Sequence, residues 1–234
     1  MSSVVILGDG ILGSCVHEKT DWDILSRKKS KLNIDDIKEY DQLFKNKNVI
    51  VNCIANTKTY SNDHSHIKTN YEFVINLVDF CLDKNIKLVH ISTGYVYANN
   101  TNNPTEEDLP VPQNTLYAYS KLLADEYIKV KLKKYAIIRS VHKPNPFPYN
   151  HAFIDHIGNF IYANEVADFI IDCVNKDLNG IYNVGKDLES IYEFAKTTNP
   201  TVEPKNKPNE IPELVQFDCS KYKKYLNEKN SFSY

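Results

Sequence analysis

The sequence predicts an α/β fold: a Rossmann-type, doubly wound parallel sheet with a small, shortened C-terminal lobe. Three observations carry that prediction. Short apolar runs alternate with longer segments of helical periodicity, as in βαβ units whose sheet is covered on both faces. The first run, Ser3-Val4-Val5-Ile6-Leu7, leads directly into Gly8-Asp9-Gly10-Ile11-Leu12-Gly13, a G-x-G-x-x-G turn opening a helix. Further on, Tyr117 and Lys121 stand four residues apart in a helical segment and so share one helix face.

The elements follow in order. A strand at 3–8 precedes a helix from about residue 11, then a strand near 22–26, a helix at 35–46 and a strand at 48–54. A helix at 64–84, a strand at 86–92, a helix at 115–132 and a strand at 135–139 complete the alternation. Val49-Ile50-Val51-Asn52-Cys53-Ile54 and Tyr135-Ala136-Ile137-Ile138 are continuous apolar runs of the doubly buried kind. Ala98 to Thr115, rich in Asn, Pro and acidic residues, reads as a surface loop bordering the site. Lys143-Pro144-Asn145-Pro146-Phe147-Pro148 suits neither helix nor central strand and marks a crossing into another substructure. Phe160-Ile161-Tyr162 then leads into a helix at 163–176, and Gly180-Ile181-Tyr182-Asn183-Val184 forms a last strand. The proline-rich tail stays irregular until a short helix near 219–227. The expected division is a dinucleotide-binding unit at 1–140, to which 160–184 returns, and a reduced substrate-binding lobe from 141–159 and 185–234.

The glycine turn has specific physics. Gly8 allows the tight turn, Gly10 lets the backbone approach a pyrophosphate, and Gly13 permits close helix–strand packing. The pyrophosphate would rest on the helix N-terminus. Of the seven glycines in 234 residues, three fall here at the required spacing, which favours a dinucleotide site over an ordinary turn. At the end of the second strand, where an acid would hold the ribose 2′-hydroxyl of NAD, Ser26 is followed by Arg27-Lys28-Lys29. A guanidinium there suits the 2′-phosphate of NADPH, with NADH as the alternative if Asp23 is the strand-end acid. Thr93, in Ser92-Thr93-Gly94-Tyr95-Val96-Tyr97, follows an apolar strand and so stands at the end of the sheet where ligands bind. The Lys121 ammonium would favour the Tyr117 phenolate and bring its pKa towards the range useful for proton transfer.

Bulk properties narrow the alternatives. Net charge is −2 and cations are scattered, leaving no footprint for nucleic acid. Neither a signal peptide nor a membrane span is evident, and the reading is cytoplasmic. The five cysteines form no C-x-x-C pair, which points to reduced core thiols and no metal site. His64 and His66 form an H-x-H in a polar helix start and read as surface residues.

Together these landmarks resemble the extended short-chain dehydrogenase/reductase superfamily, in particular its dTDP-4-dehydrorhamnose reductase branch. Asn52-Cys53-Ile54-Ala55-Asn56-Thr57 stands where the family has an Asn-Ala-Ala-Ala-Tyr-Thr-like segment, and Ser92–Tyr97 is close to its Ser-Thr-Asp-Tyr-Val-Phe. Thr69-Asn70, Ile138-Arg139-Ser140, Phe160–Ala167 and Gly180–Val184 also fall in family order. The resemblance implies hydride transfer to the C4 ketone of a 6-deoxy sugar carried on dTDP or UDP. Tyr117 would be the acid, Thr93 would hydrogen-bond the same oxygen, and Lys121 would hold the nicotinamide ribose. Gly8, Gly10, Ile11, Leu12 and Gly13 would bind the cofactor, joined by Ser26, Arg27, Asn33 and Ile34 and by Ile54, Ala55, Asn56 and Thr57. Thr93, Gly94, Tyr95 and His142 would meet the sugar, His142 from a loop where reductases carry a tryptophan. Tyr119 projects from a different helix face and is not the expected acid.

Family members that also epimerise carry a cysteine where this chain has Tyr95, so reduction without epimerisation is expected. Two other readings accompany this one: a non-catalytic NADP-binding regulatory subunit, like that of methionine adenosyltransferase, and a nucleotide-sugar epimerase or dehydratase. Homodimers are common in the superfamily, but no segment of this sequence marks an interface.

Overall fold

The computed structural model describes residues 3–30, 33–35 and 41–231. Its elements are β1 (Val4–Leu7), α1 (Ile11–Glu18), β2 (Asp23–Leu25), α2 (Asp41–Phe44), β3 (Val49–Asn52) and α3 (Ser65–Ile67). A π-helical turn (Lys68–Glu72) joins α3 to α4 (Phe73–Lys84), followed by β4 (Lys87–Ile91) and a 3₁₀ turn (Gly94–Tyr97). Then come α5 (Leu116–Lys131), β5 (Tyr135–Lys143), β6 (His151–Phe153), β7 (Ile157–Gly158), β8 (Phe160–Tyr162) and α6 (Ala163–Asn175). The chain continues through β9 (Gly180–Val184), β10 (Glu189–Ser190), α7 (Ile191–Lys196), β11 (Glu203–Lys205), β12 (Leu214–Val215) and α8 (Ser220–Ser231).

Seven strands form one parallel sheet in the order β2-β1-β3-β4-β5, with β9 and β8 both beside β5. The register of β1 sets the centre: Leu7 lies opposite both Leu25 of β2 and Asn52 of β3. The sheet order turns at β1, so a crevice opens beyond its carboxyl end, where open α/β sheets bind ligands. Alternation along β1 sends Val4 and Ile6 to a core under α1 and α6, and Val5 and Leu7 to a core under α4. Both faces are covered, so all four residues are buried.

Beyond Lys143 the chain builds a lobe from very short strands: β10-β7-β12 in one sheet and β11-β6 in another. A third core, containing Tyr95, Tyr117, Phe160, Phe194 and Phe217, joins this lobe to the large sheet. Helix α8 lies on the other side, where Tyr222 and Tyr225 pack edge-on against Phe169 of α6.

Several expected boundaries shift. The strand expected at 135–139 continues through Lys143, because β8 supplies partners for Val141, His142 and Lys143 after β9 has paired with residues 136–140. The helix expected at 64–84 is interrupted by the π turn around Asn70, whose side chain is committed to the neighbouring loop. Of the helix expected at 35–46, the described part is Asp41–Phe44; residues 36–40 lie outside the described residues.

Candidate active site

The site is assembled on three strand ends and two helices. At the end of β1, Gly8 adopts φ 99°, a conformation that costs glycine little, and its N–H donates to Leu25 O at 2.8 Å. A Cβ on Gly13 would lie 2.0 Å from Gly8 O, so only glycine lets α1 cross this closely. Gly10 caps α1 with its backbone, and a Cβ there would meet nothing within 4 Å. The turn therefore presents an open face and free helix amides to an incoming anion.

That face opens onto a cavity of about 710 Å³. Its walls include Gly8, Gly10, Ser26 and Arg27, then Asn33 and Ile34, then Ile54, Ala55 and Asn56 on the opposite side. Ser26 is buried, and its hydroxyl accepts the Lys29 N–H at 3.0 Å, pinning the turn that holds Arg27 at the rim. Asp23 is committed elsewhere: its carboxylate pairs with Lys47 at the opposite end of the strand from Ser26, which removes it as a ribose ligand.

A second cavity of about 290 Å³ shares Gly10, Cys53 and Ala55 with the first, so the two adjoin beneath the glycine turn. Ile11, Leu12 and Thr57 line it, together with Tyr117, Lys121 and His142. Thr115 caps α5 by accepting the Ala118 N–H at 3.2 Å and so fixes the first turn, which carries Tyr117. Tyr117 is buried and Tyr119 is exposed. The Thr93 hydroxyl accepts the Tyr95 N–H at 3.2 Å, and Thr93 is near enough to the Tyr117 phenol to act on its pKa. Burial raises the Tyr117 pKa, the nearby Thr93 hydroxyl opposes that rise, and Asp125 adds to it.

Lys121 departs from expectation. Its ammonium reaches back to the end of β4, where it donates to Ile91 O at 2.6 Å and lies 3.1 Å from His90 Nε2. The lysine is itself desolvated, which lowers its pKa to about 8, while the Asp125 carboxylate works in the other direction. It shares a helix face with Tyr117 without making the phenol more acidic; burial decides that pKa.

The remaining expected residues divide. His142 lies on β5 and not on a loop, and desolvation, then Lys143 and Lys121, depress its pKa to about 4. Tyr95 is buried with its hydroxyl 3.2 Å from that of Tyr60, and burial holds its pKa well above the usual phenol range. Thr93, Gly94 and Tyr95 lie beneath the cavities and not in their walls. Gly94 is a packing point: a Cβ there would lie 2.3 Å from the Phe217 ring and 2.8 Å from Val141. It packs against these two residues and is not among the walls of either cavity.

Other residues had no sequence role. Asn70 clamps the loop after β3, accepting the Asn56 N–H at 2.7 Å and donating to Asn56 O at 3.0 Å and Ser120 Oγ at 3.2 Å. His66, expected at the surface, is fully buried with its ring edge-on to Tyr117 at 6.0 Å. The signal was its spacing, since His66 falls four residues before Asn70 on the inward helix face. Among the described residues, no group of three His, Cys, Asp or Glu side chains could hold a metal ion. No helix among them is long and apolar enough to cross a membrane.

The chain is similar to several known proteins. An ADP-L-glycero-D-manno-heptose-6-epimerase of Brachyspira hyodysenteriae is 30% identical over 162 residues, covering 56% of this chain and 51% of that protein. The chain thus spans about half the length of the curated relatives it matches. The structure of dTDP-4-dehydrorhamnose reductase from Bacillus anthracis in complex with NADP superposes with a TM-score of 0.80 at 23% identity, covering 95% of this chain and 92% of that one. The Bordetella bronchiseptica enzyme WbmH in complex with NAD+ superposes at 0.78 and 16% identity, covering 96% and 91%. These two likenesses establish the shared Rossmann-like fold. The RmlD substrate binding domain family matches residues 2–142, more than half of the sequence and all of the strand ends that build the cleft, and the chain belongs to that family.

Proposed function

We propose that this chain uses NADPH to reduce the C4 ketone of a 4-keto-6-deoxy sugar carried on a nucleoside diphosphate, dTDP or UDP, and does not epimerise neighbouring carbons itself. The observation that carries the reading is that Tyr117 and Lys121 share the wall of a cleft that begins at the glycine turn, with Thr93 acting on the phenol. The residues fit a dinucleotide: Gly10 leaves open the space a side chain would fill, and Arg27 stands at the rim for a 2′-phosphate. The dTDP-4-dehydrorhamnose reductase of Bacillus anthracis, with its NADP, supports the same choice.

When bound, the cofactor supplies a hydride to the ketone carbon. Tyr117 keeps its proton at neutral pH because burial raises its pKa, so it is poised as an acid. It gives that proton to the oxygen as negative charge develops there, and the Thr93 hydroxyl stabilises the phenolate left behind. Lys121, which lines the same cavity, would hold the nicotinamide ribose on exchanging its bond to Ile91 O for the sugar hydroxyls. Tyr95 stays protonated, so it does not stand ready as a base to remove a proton from carbon. In this reading residues 1–140 and 160–184 form the dinucleotide-binding unit, and 141–159 with 185–234 form the substrate lobe. The protein works in the cytoplasm, where its thiols stay reduced, and a homodimer is its expected assembly.

The heptose epimerase likeness favours a second reading, an epimerase that keeps its cofactor bound. Ser26-Arg27 in place of an acid speaks against it, because such enzymes typically hold NAD. A purely regulatory NADP binder has no need of a proton donor at Tyr117. The test mixes purified protein with NADPH and dTDP- or UDP-4-keto-6-deoxy sugars, with and without a separate 3,5-epimerase. Loss of nicotinamide absorbance that depends on the added epimerase is the expected result. Oxidation without it overturns the role given to Tyr95, and tight NADPH binding without oxidation favours the regulatory subunit.

A further inference from the structure

Helix α5 carries a third polar residue in line with the first two. Tyr117, Lys121 and Asp125 are spaced i, i+4 and i+8, all three are buried, and they occupy successive turns of one face. Asp125 is fully buried, and its Oδ2 accepts two hydrogen bonds from different strands. One comes from Ser92 Oγ at 2.8 Å, the residue immediately before Thr93; the other from Arg139 Nε of β5 at 3.0 Å. Arg139 also donates to the Tyr97 hydroxyl, at the end of the 3₁₀ turn that follows Thr93. One carboxylate thus ties the helix bearing Tyr117 to the strand end bearing Thr93.

We propose that Asp125 is a positioning residue for the reaction: it locks Thr93 in register with Tyr117 and keeps a negative charge one helical turn from the Lys121 ammonium. This proposal rests on the reductase reading and deepens it. Asp125 is the one carboxylate bearing on Lys121 among the described residues, since the other groups that face the ammonium are His90 and Ile91 O of β4 and the Cys53 thiol after β3. From β5, His142 feels the same ammonium. Burial pulls the lysine pKa down to about 8, and Asp125 is the strongest influence holding it up. The sign follows: removing the carboxylate lets the lysine lose its proton at lower pH, and function fails from the alkaline side.

The experiment measures NADPH affinity by nucleotide fluorescence and kcat against pH in the wild type and in Asp125→Asn. The alkaline midpoint of both should move acidward by about one pH unit, the lower end of the effect of one neighbouring charge. Because Asp125→Asn strands Arg139 in the core, the double variant Asp125→Asn/Arg139→Met serves as a second measurement free of an orphaned charge. It should also show an acidward shift, smaller than that of the single variant because the Arg139 charge is removed with the carboxylate it neutralises. Unmoved midpoints in folded variants overturn the proposal, and so does failure of both variants to fold, which would leave Asp125 a purely architectural residue. A wild type that binds NADPH but reduces no sugar overturns the reductase reading alone, because the binding midpoint still reports on Lys121.

Discussion

In the half of the molecule built on the glycine turn, shape comes from long parallel ladders. β1 pairs along its whole length with β3, and β3 with β4, so the strand ends that form the cleft are set by backbone register. The C-terminal lobe has strands of two or three residues and relies on side chains bonded to the backbone. Asn159 accepts the Phe217 N–H at 3.0 Å and donates to Lys186 O at 2.7 Å, and His156 Nδ1 donates to Pro212 O at 2.7 Å. One half resists change in its side chains but not in its glycines; the other depends on particular side chains in particular pockets. Tyr117 stands where they meet, lining the second cavity while packing in the core that the lobe shares with the large sheet.

Breaking the junction chemically should have the largest effect. Tyr117→Phe keeps the ring and removes only the hydroxyl, so kcat should fall about 10²–10⁴-fold, the range for losing a positioned acid. NADPH affinity, measured by fluorescence titration, should stay within about twofold, because a change of a few tenths of a kcal/mol is all the ring-preserving substitution allows. Unchanged turnover would remove Tyr117 from the acid role.

Two glycine substitutions separate the halves. In Gly13→Ala the new methyl would stand 2.0 Å from Gly8 O, a backbone atom that cannot move without opening the β1 turn. A loss near the upper end of overpacking penalties, about 3 kcal/mol, is expected in chemical denaturation, together with loss of NADPH binding. In Gly94→Ala the clash is with the buried Phe217 ring at 2.3 Å, so the lobe should loosen. About 2 kcal/mol is expected, with faster hydrogen exchange at residues 203–219 and NADPH affinity retained. Equal damage to cofactor binding by both variants would mean that the halves are not separable.

What could be read from the sequence follows the same division. The glycine turn was legible because a positive φ at Gly8 and a close helix crossing at Gly13 are demands that only glycine meets. The strands of the large sheet were legible because burial on both faces leaves continuous apolar runs. Strands β7, β10 and β12 are two residues long, too short for any period to show. The inward place of His66 was hidden by its polar neighbours, although its spacing to Asn70 pointed there. Gly94 looked like part of a ligand motif because nothing local announces that Phe217, more than a hundred residues later, fills the space beside it. The coupling of Lys121 to His90 and Ile91 O, rather than to the phenol, is likewise tertiary and has no signature in the spacing Tyr117 to Lys121.

The smallest expected effect tests how the glycine-turn half chooses its cofactor. Arg27 follows Ser26, whose hydroxyl and carbonyl hold the turn through Lys29 and Ser30, so the position of its backbone is fixed while its side chain is exposed. Arg27→Ala removes a fork that could grip a 2′-phosphate but leaves Lys28 and Lys29 beside it as weaker, point-charge substitutes. The loss of NADPH affinity should therefore be limited to about tenfold, roughly 1.4 kcal/mol, with NADH affinity unchanged. Because the contact sits at the rim, raising the salt concentration should shrink the difference between wild type and variant. Parallel titrations with both nucleotides decide the matter: equal effects on NADPH and NADH would return Arg27 to the solvated surface and leave cofactor preference to the walls around Asn33 and Ile34.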